Sequence, residues 1–250
     1  MAVKIVQVTD LHIASNKRFE AHGVNTFQSA KNVITNISEI SNLDYLIMTG
    51  DLSDDESTES YMYIDELLQN FSAPVYLIPG NHDAPDINKK IRKGRMSNHN
   101  YFVVGNWVIY MFNTKKISSP NGLLKEEELL IFDELLSTHP EKSFMLFTHH
   151  HPIPIGSKSM DKMMIENSHE IVSRIKTNTC IRGIAWGHVH EEFFSTINNT
   201  KFFSCPSTCY QAKPQTKKYS IDHEELPGYR IITLHESGDI DSEVIRVNSK

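Results

Sequence analysis

Short apolar runs and longer amphipathic stretches alternate along the chain. Val3–Thr9, Leu43–Thr49, Pro74–Pro79, Ser143–Thr148 and Cys180–Trp186 are brief runs of apolar, often β-branched residues, which predicts buried strands. Between them, apolar residues recur three and four positions apart. Phe27, Ala30, Val33, Ile34 and Ile37 predict a helix from a cap at Asn25-Thr26 to about Ser41, and Tyr61, Ile64, Leu67 and Leu68 predict another within Glu56–Phe71. Glu126–Ser137, acidic in its first turn, and a segment of Met160–Lys176 carrying Ile165, Ile171, Val172 and Ile175 predict two more. Strands alternating with helices predict an α/β fold with parallel strands, and in such sheets ligands gather at the strands' carboxyl ends.

Elsewhere the pattern is shorter. Tyr101–Val104 and Trp107–Asn113 read as a hairpin turned at Gly105-Asn106. Phe193–Ile197, Lys201–Ser204, Tyr229–Leu234 and Ile240–Val247 are expected as strands around a loop at Ser207–Pro227. The polar stretch Ala84–Asn100, with Arg92, Lys93 and Arg95, is expected to form a solvated helix and loop. Without repeats, low-complexity tracts or a linker-like boundary, residues 1–250 are expected to make a single domain.

Composition narrows the classes. A chain of 250 residues with 39% hydrophobic residues can bury a large core. The formal net charge of −6 argues against a binder of nucleic-acid polymers, which would show a basic face. No apolar run approaches membrane-span length, so no membrane partner is expected. Cys180, Cys205 and Cys209 make an odd count with no disulfide framework, and the N-terminus enters a strand at once without a leader pattern. Both point to a cytoplasmic protein with reduced thiols.

The candidate chemistry sits where the strands stop. The five predicted strands run into Asp10-Leu11-His12, Gly50-Asp51, Gly80-Asn81-His82-Asp83, His149-His150-His151 and Gly187-His188-Val189-His190. Each tip alone has a bland explanation as a capped turn or a surface histidine, but five at strand ends make a constellation. Asp10, His12, Asp51, Asn81, His149, His188 and His190 mix imidazole nitrogen with carboxylate and amide oxygen, which suits Fe, Mn, Zn or Co. Seven donors exceed what one catalytic ion with an open position takes and match two ions sharing a carboxylate.

In this order the motifs resemble those of the calcineurin-like metallophosphoesterase superfamily. The resemblance implies a four-layer α/β/β/α sandwich of two mixed β-sheets. It also implies Asp10, His12 and His190 on one ion, Asn81, His149 and His188 on the other, and Asp51 between them. His149 is chosen as the first histidine after its strand, with His150 as its competitor. Gly23–Thr26, the His149–Pro152 run, Pro206–Cys209 and Pro227–Arg230 are further similar to class III cyclic nucleotide phosphodiesterases, the bacterial cyclic AMP enzyme above all. Met160-Asp161 and Glu166–His169 resemble glycerophosphodiesterases of the same branch, which makes those diesters the alternative substrates.

The expected reaction is hydrolysis of 3′,5′-cyclic AMP to 5′-AMP by a hydroxide held between the two ions. Two divalent ions, two carboxylates and a hydroxide leave a formal charge of about +1, which suits a phosphodiester monoanion. His82 is expected to contact the phosphoryl oxygens or protonate the leaving alkoxide, with Asp83 orienting its ring. Base and ribose selection are expected at Gly23–Thr26 and Pro206–Cys209, outside the donor set. A nuclease would add a basic groove and a lipid phosphatase a membrane-facing surface, and neither stands out. A non-enzymatic scaffold of this fold would tend to have lost donors, and here the set is intact.

Overall fold

The computed structural model describes residues 2–87, 96–97 and 99–248. Arg92, Lys93 and Arg95, within the expected helix and loop at Ala84–Asn100, lie outside the described residues. In chain order the strands are β1 (Val3–Val8), β2 (Glu20–Ala21), β3 (Val24–Asn25), β4 (Tyr45–Met48), β5 (Val75–Leu77), β6 (Met96–Ser97), β7 (Tyr101–Val104) and β8 (Trp107–Met111). They continue with β9 (Ser143–Phe147), β10 (Ile181–Trp186), β11 (Phe194–Ile197), β12 (Thr200–Ser204), β13 (Gln211–Ala212), β14 (Ile221–Asp222), β15 (Gly228–Leu234) and β16 (Ile240–Arg246). The helices are α1 (Thr26–Ser38), α2 (Thr58–Leu67), α3 (Glu126–Thr138) and α4 (His169–Thr177).

Two mixed sheets carry the fold. One runs β16-β15-β1-β4-β5-β6 and the other β11-β12-β10-β9-β8-β7. In the first, β1, β4, β5 and β6 are parallel, β15 runs against them, and β16, antiparallel to β15, runs with them again at the edge. In the second, β8, β9, β10 and β12 are parallel, with β7 and β11 antiparallel at the edges.

Side-chain alternation along these strands builds the layers, because successive residues of a strand point to opposite faces. Val3 and Ile5 of β1, Ile47 of β4, Trp107, Ile109 and Met111 of β8, Met145 and Phe147 of β9 and Ile232 of β15 interdigitate between the sheets. Val6 and Val8 of β1 and Leu46 and Met48 of β4 face outward onto Ala30, Val33, Ile34 and Ile37 of α1 and Tyr61 and Ile64 of α2. Val108 and Tyr110 of β8, Phe144 and Leu146 of β9 and Ile184 of β10 face the other way, onto Phe132 of α3 and Ile171 of α4. Three apolar clusters between four layers make the α/β/β/α sandwich. Gln7 crosses the middle of it, donating from Nε2 to Thr49 Oγ1 at 2.9 Å and to the Trp186 carbonyl at 3.1 Å.

Local chemistry places the helix starts. Asn25 Oδ1 accepts the N–H of Gln28 at 2.8 Å, and Ser57 Oγ accepts that of Ser60 at 3.1 Å. Two expectations shift. Met160–Lys176 divides into a 3₁₀ turn at Met160–Lys162 and α4, with Ile165 buried between them. The polar loop before α1 contains a small hairpin, β2–β3, whose turn residues His22 and Gly23 both have positive φ, as a two-residue hairpin turn favours. Among the described residues no helix is long and apolar enough to cross a membrane.

Candidate metal centre

β1, β4 and β5 of one sheet and β9 and β10 of the other deliver their carboxyl ends to one rim. Parallel pairing continues past the strands: the Asp10 N–H reaches the Gly50 carbonyl at 2.9 Å and the His12 N–H the Asp51 carbonyl at 3.0 Å. The sheets meet where the His188 N–H donates to the Asp10 carboxylate at 2.9 Å. Gly187 has no room for a side chain, since a Cβ would collide with Thr9 and approach the Asp10 carboxylate, and a Cβ on Gly80 would collide with that of Asp51. These glycines let the tips close on one another.

The seven predicted donors do converge. His12 Nε2 lies 3.3 Å from His190 Nε2, and His190 Nε2 lies 3.3 Å from Asp10 Oδ1. Asp51 Oδ2 stands 3.8 Å from His12 Nε2 on one side and 3.4 Å from His149 Nε2 on the other. Its Oδ1 is held by the His82 N–H at 2.8 Å, which aims Oδ2 between the two imidazoles. Asn81 Oδ1 is 3.1 Å from His149 Nε2. His188 is buried, and its Nε2 has no hydrogen-bond partner.

Neighbours set the tautomers. The Nδ1–H of His12 donates to Asp54 Oδ1 at 3.0 Å, that of His149 to the Thr49 carbonyl at 2.7 Å and that of His190 to the Tyr210 carbonyl at 2.9 Å. A proton fixed on Nδ1 leaves a lone pair on Nε2, the arrangement by which carboxylates and carbonyls orient ligating histidines. Two imidazole lone pairs facing at 3.3 Å, beside a buried carboxylate, suit a positive species between them. The unpartnered His188 Nε2 offers a further nitrogen on the His149 side of Asp51. Asp10, His12 and His190 form one group able to hold a metal ion, and Asp10, Asp51 and His149 another. The mixed nitrogen and oxygen set fits a transition-metal ion.

Charge follows the same logic. Burial works to raise the Asp10 carboxyl, yet the His190 imidazole beside it brings it down to about 2. Asp51 is buried too and is held well below the usual carboxylate range, chiefly by His149. Burial opposes a proton on His149, but the Asp51 carboxylate raises it to about 9. Burial and the neighbouring His149 push His188 well down, so its ring is neutral.

The backbone is bent to do this. Asp10, His12, Asp51, His188 and His190 all have positive φ, between 48° and 67°. That region is costly for residues with a Cβ and occurs where surrounding structure over-determines it, often at functional sites. At Asp10 the brace comes from the opposite sheet: Ser207 Oγ donates to the Asp10 carbonyl at 2.8 Å, and the Cys209 thiol lies 3.3 Å from the same oxygen. Pro206–Cys209, expected to select base and ribose, is therefore a buried brace beneath the site. Cys205 likewise gives its thiol to the Gln7 carbonyl at 3.3 Å.

Asp83 has other work than orienting the His82 ring. Its buried carboxylate accepts N–H groups from Leu52, Ser53 and Gly80 and the Tyr61 hydroxyl, at 2.8 to 3.2 Å. It pins the Asp51 loop to the Asn81 turn. The carboxylate nearest the His82 ring is instead Asp54, 4.0 Å from Nδ1. His82 is 45% exposed and lies edge-on to His12 at 4.9 Å. Sequence reasoning missed Asp54, although it stands three residues after Asp51 in a run of acidic residues. It also missed Lys115, whose Nζ holds the Asn81 carbonyl at 2.8 Å. His150 reaches the His149–His188 side and donates or accepts at Thr114 Oγ1, 2.8 Å away, while its Nε2 is unpartnered. His149, not His150, approaches Asp51 and Asn81.

The model of the calcineurin-like phosphoesterase family matches residues 3–192, which span every one of these tips. The chain is a calcineurin-like phosphoesterase. Curated relatives resemble it over nearly its whole length. It is 33% identical over 98% of its residues to the 3′,5′-cyclic adenosine monophosphate phosphodiesterase CpdA of Haemophilus influenzae, covering 90% of that protein. It is 31% identical over 99% of its residues to a 3′,5′-cyclic-nucleotide phosphodiesterase of Nostoc sp., covering 93% of it. Among solved structures, a dimetal phosphatase from Danio rerio aligns over 98% of this chain and 99% of its own, with a TM-score of 0.69 and 11% identity. That likeness confirms the metallophosphatase fold. Family and relatives together make this phosphoesterase a hydrolase of phosphodiesters.

Proposed function

We propose that the phosphoesterase hydrolyses 3′,5′-cyclic AMP to 5′-AMP at a centre of two metal ions. The observation that carries the two-ion reading is the place of Asp51 Oδ2 between His12 and His149. Asp10, His12 and His190 would hold one ion, and Asn81, His149 and His188 the other, with Asp51 shared. Bound there, the ions would supply positive charge for the non-bridging phosphoryl oxygens and a water acidic enough to ionise near neutral pH. The substrate reading rests on the relatives' names at full-length coverage.

The chain's own residues do the rest. Asp54, Thr49 and Tyr210 hold three imidazoles with their lone pairs inward, so the donor set is formed before substrate arrives. In the reaction water adds to phosphorus, the P–O3′ bond breaks, and O3′ takes up a proton. His82 stands exposed at the cleft beside His12, where it can give that proton or hold a phosphoryl oxygen. Apart from Met160, which lines the cleft, the stretch likened to glycerophosphodiesterases makes structural contacts. Asp161 accepts the Ile155 N–H, Glu166 pairs with Lys116, and Asn167 bonds the backbone of Leu124.

The test is a substrate panel with added Mn²⁺: 3′,5′-cyclic AMP, a glycerophosphodiester and an aryl phosphodiester. Cyclic AMP is expected to be the best substrate, with 5′-AMP as product. Glycerophosphodiesters turned over far faster than cyclic AMP would replace it.

A further inference from the structure

The cleft over the centre, about 210 Å³, is lined by two unlike sets of side chains. His12, Asp51, Asn81, His82, His188 and His190 form the polar one. Pro120, Met160, Met163, Tyr210 and Tyr219 form the other, and none of these five carries a charge. The phosphoesterase reaction accounts for the polar set and leaves the second without a task.

The apolar set is built rather than incidental. The Tyr210 ring lies nearly parallel to His190 at 4.5 Å and is met edge-on by His22 at 4.6 Å. β13 and β14, which directly follow Tyr210 and closely follow Tyr219, pair with each other and fix both tyrosines' segments. Met160 opens the 3₁₀ turn and Met163 caps it, the Met163 N–H closing on the Met160 carbonyl at 2.7 Å. That region is joined to the tyrosine loop by the Lys158 N–H on the Thr216 carbonyl at 3.0 Å. Tyr219 remains 38% exposed.

We infer that this wall binds the flat base of the substrate, with Tyr219 and Met163 as specificity-determining residues. The inference rests on the reading that the adjacent centre cleaves a phosphodiester. Two aromatic rings, two thioethers and a proline offer flat or adaptable apolar surface, which a planar heterocycle covers well. A glycerol moiety has no flat apolar surface to set against those rings and thioethers. A quaternary ammonium is the other group that aromatic rings receive, and glycerophosphocholine in the test below distinguishes it from a base. A phosphodiester joined to a nucleobase matches both sets at once.

The test uses metal-loaded wild type and the Tyr219→Ala, Tyr219→Phe and Met163→Ala variants, with thermal midpoint and metal content measured for each. Loss of base stacking typically costs 1–3 kcal/mol, so KM for cyclic AMP is expected to rise on the order of tenfold in the alanine variants. Tyr219→Phe should stay near wild type, and turnover of glycerophosphocholine should be unchanged throughout. Adenosine should inhibit wild type competitively and lose that inhibition in Tyr219→Ala. Unchanged KM and adenosine inhibition in both alanine variants would overturn the inference while leaving cyclic AMP hydrolysis standing. A loss confined to glycerophosphocholine would also overturn it. Should wild type fail to cleave cyclic AMP, the substrate reading falls, and direct titration with adenosine decides the wall: binding that Tyr219→Ala abolishes supports it, and no binding refutes it.

Discussion

Replacing Asp83 by alanine removes the acceptor for four buried donors: the N–H groups of Leu52, Ser53 and Gly80 and the Tyr61 hydroxyl. A buried donor left unpaired costs about 1–3 kcal/mol, and water entering the space of the carboxylate brings each towards about 1, so the sum is about 4 kcal/mol. In a chain of this size each 1 kcal/mol lowers Tm by about 2–4 °C, which predicts a fall of about 8–16 °C. Asp83→Asn keeps one acceptor oxygen and should lose about half as much. Scanning calorimetry on chelator-treated protein is the assay, because bound ions would stabilise both forms by mass action. Leu52 and Ser53 directly follow Asp51, so the variant should also bind metal less tightly. The reasoning is refuted if Asp83→Ala keeps its Tm and metal content but loses turnover, since that pattern belongs to a residue orienting His82.

Asp54→Ala should weaken the ion position served by His12 by about 10–100-fold, the usual cost of losing a carboxylate behind a ligating histidine; calorimetric titration showing two unchanged affinities would contradict it. His82→Ala should keep both ions and lower kcat for cyclic AMP by about 10²–10⁴. The deficit should shrink for an aryl leaving group, and a metal-free variant would instead make His82 a ligand. Metal uptake at the His149 position should weaken as pH falls below about 9, because, against the effect of burial, the Asp51 carboxylate leaves a proton there that an ion must displace. Affinity that is flat between pH 9 and 6 would show that no proton is displaced.

The five strand tips were legible because each donor follows a short apolar run, and parallel strands must discharge their ends at one rim. Asp10, Asp51 and His149 come together for that reason although they are far apart in sequence. The layers were legible only through resemblance: alternation predicts that a strand has two faces but not what covers each. Asp83 was misjudged because its motif neighbours carry chemistry, whereas its partners are backbone N–H groups of another loop, which have no signature in side-chain pattern. Pro206–Cys209 was misplaced for a similar reason. Its contact to Asp10 spans 197 residues and exists because β12 lies beside β10 while β15 lies beside β1. The positive φ of five donors was also invisible, since none of them is glycine.

The central claim is that two ions share Asp51. Titrating the chelator-treated phosphoesterase with Mn²⁺ and counting bound ions per chain tests it most directly, on wild type and Asp51→Ala in parallel. Two ions on wild type, with both positions weakened together in Asp51→Ala, is the predicted result. One ion on wild type, or two ions held at full affinity by Asp51→Ala, would contradict the account.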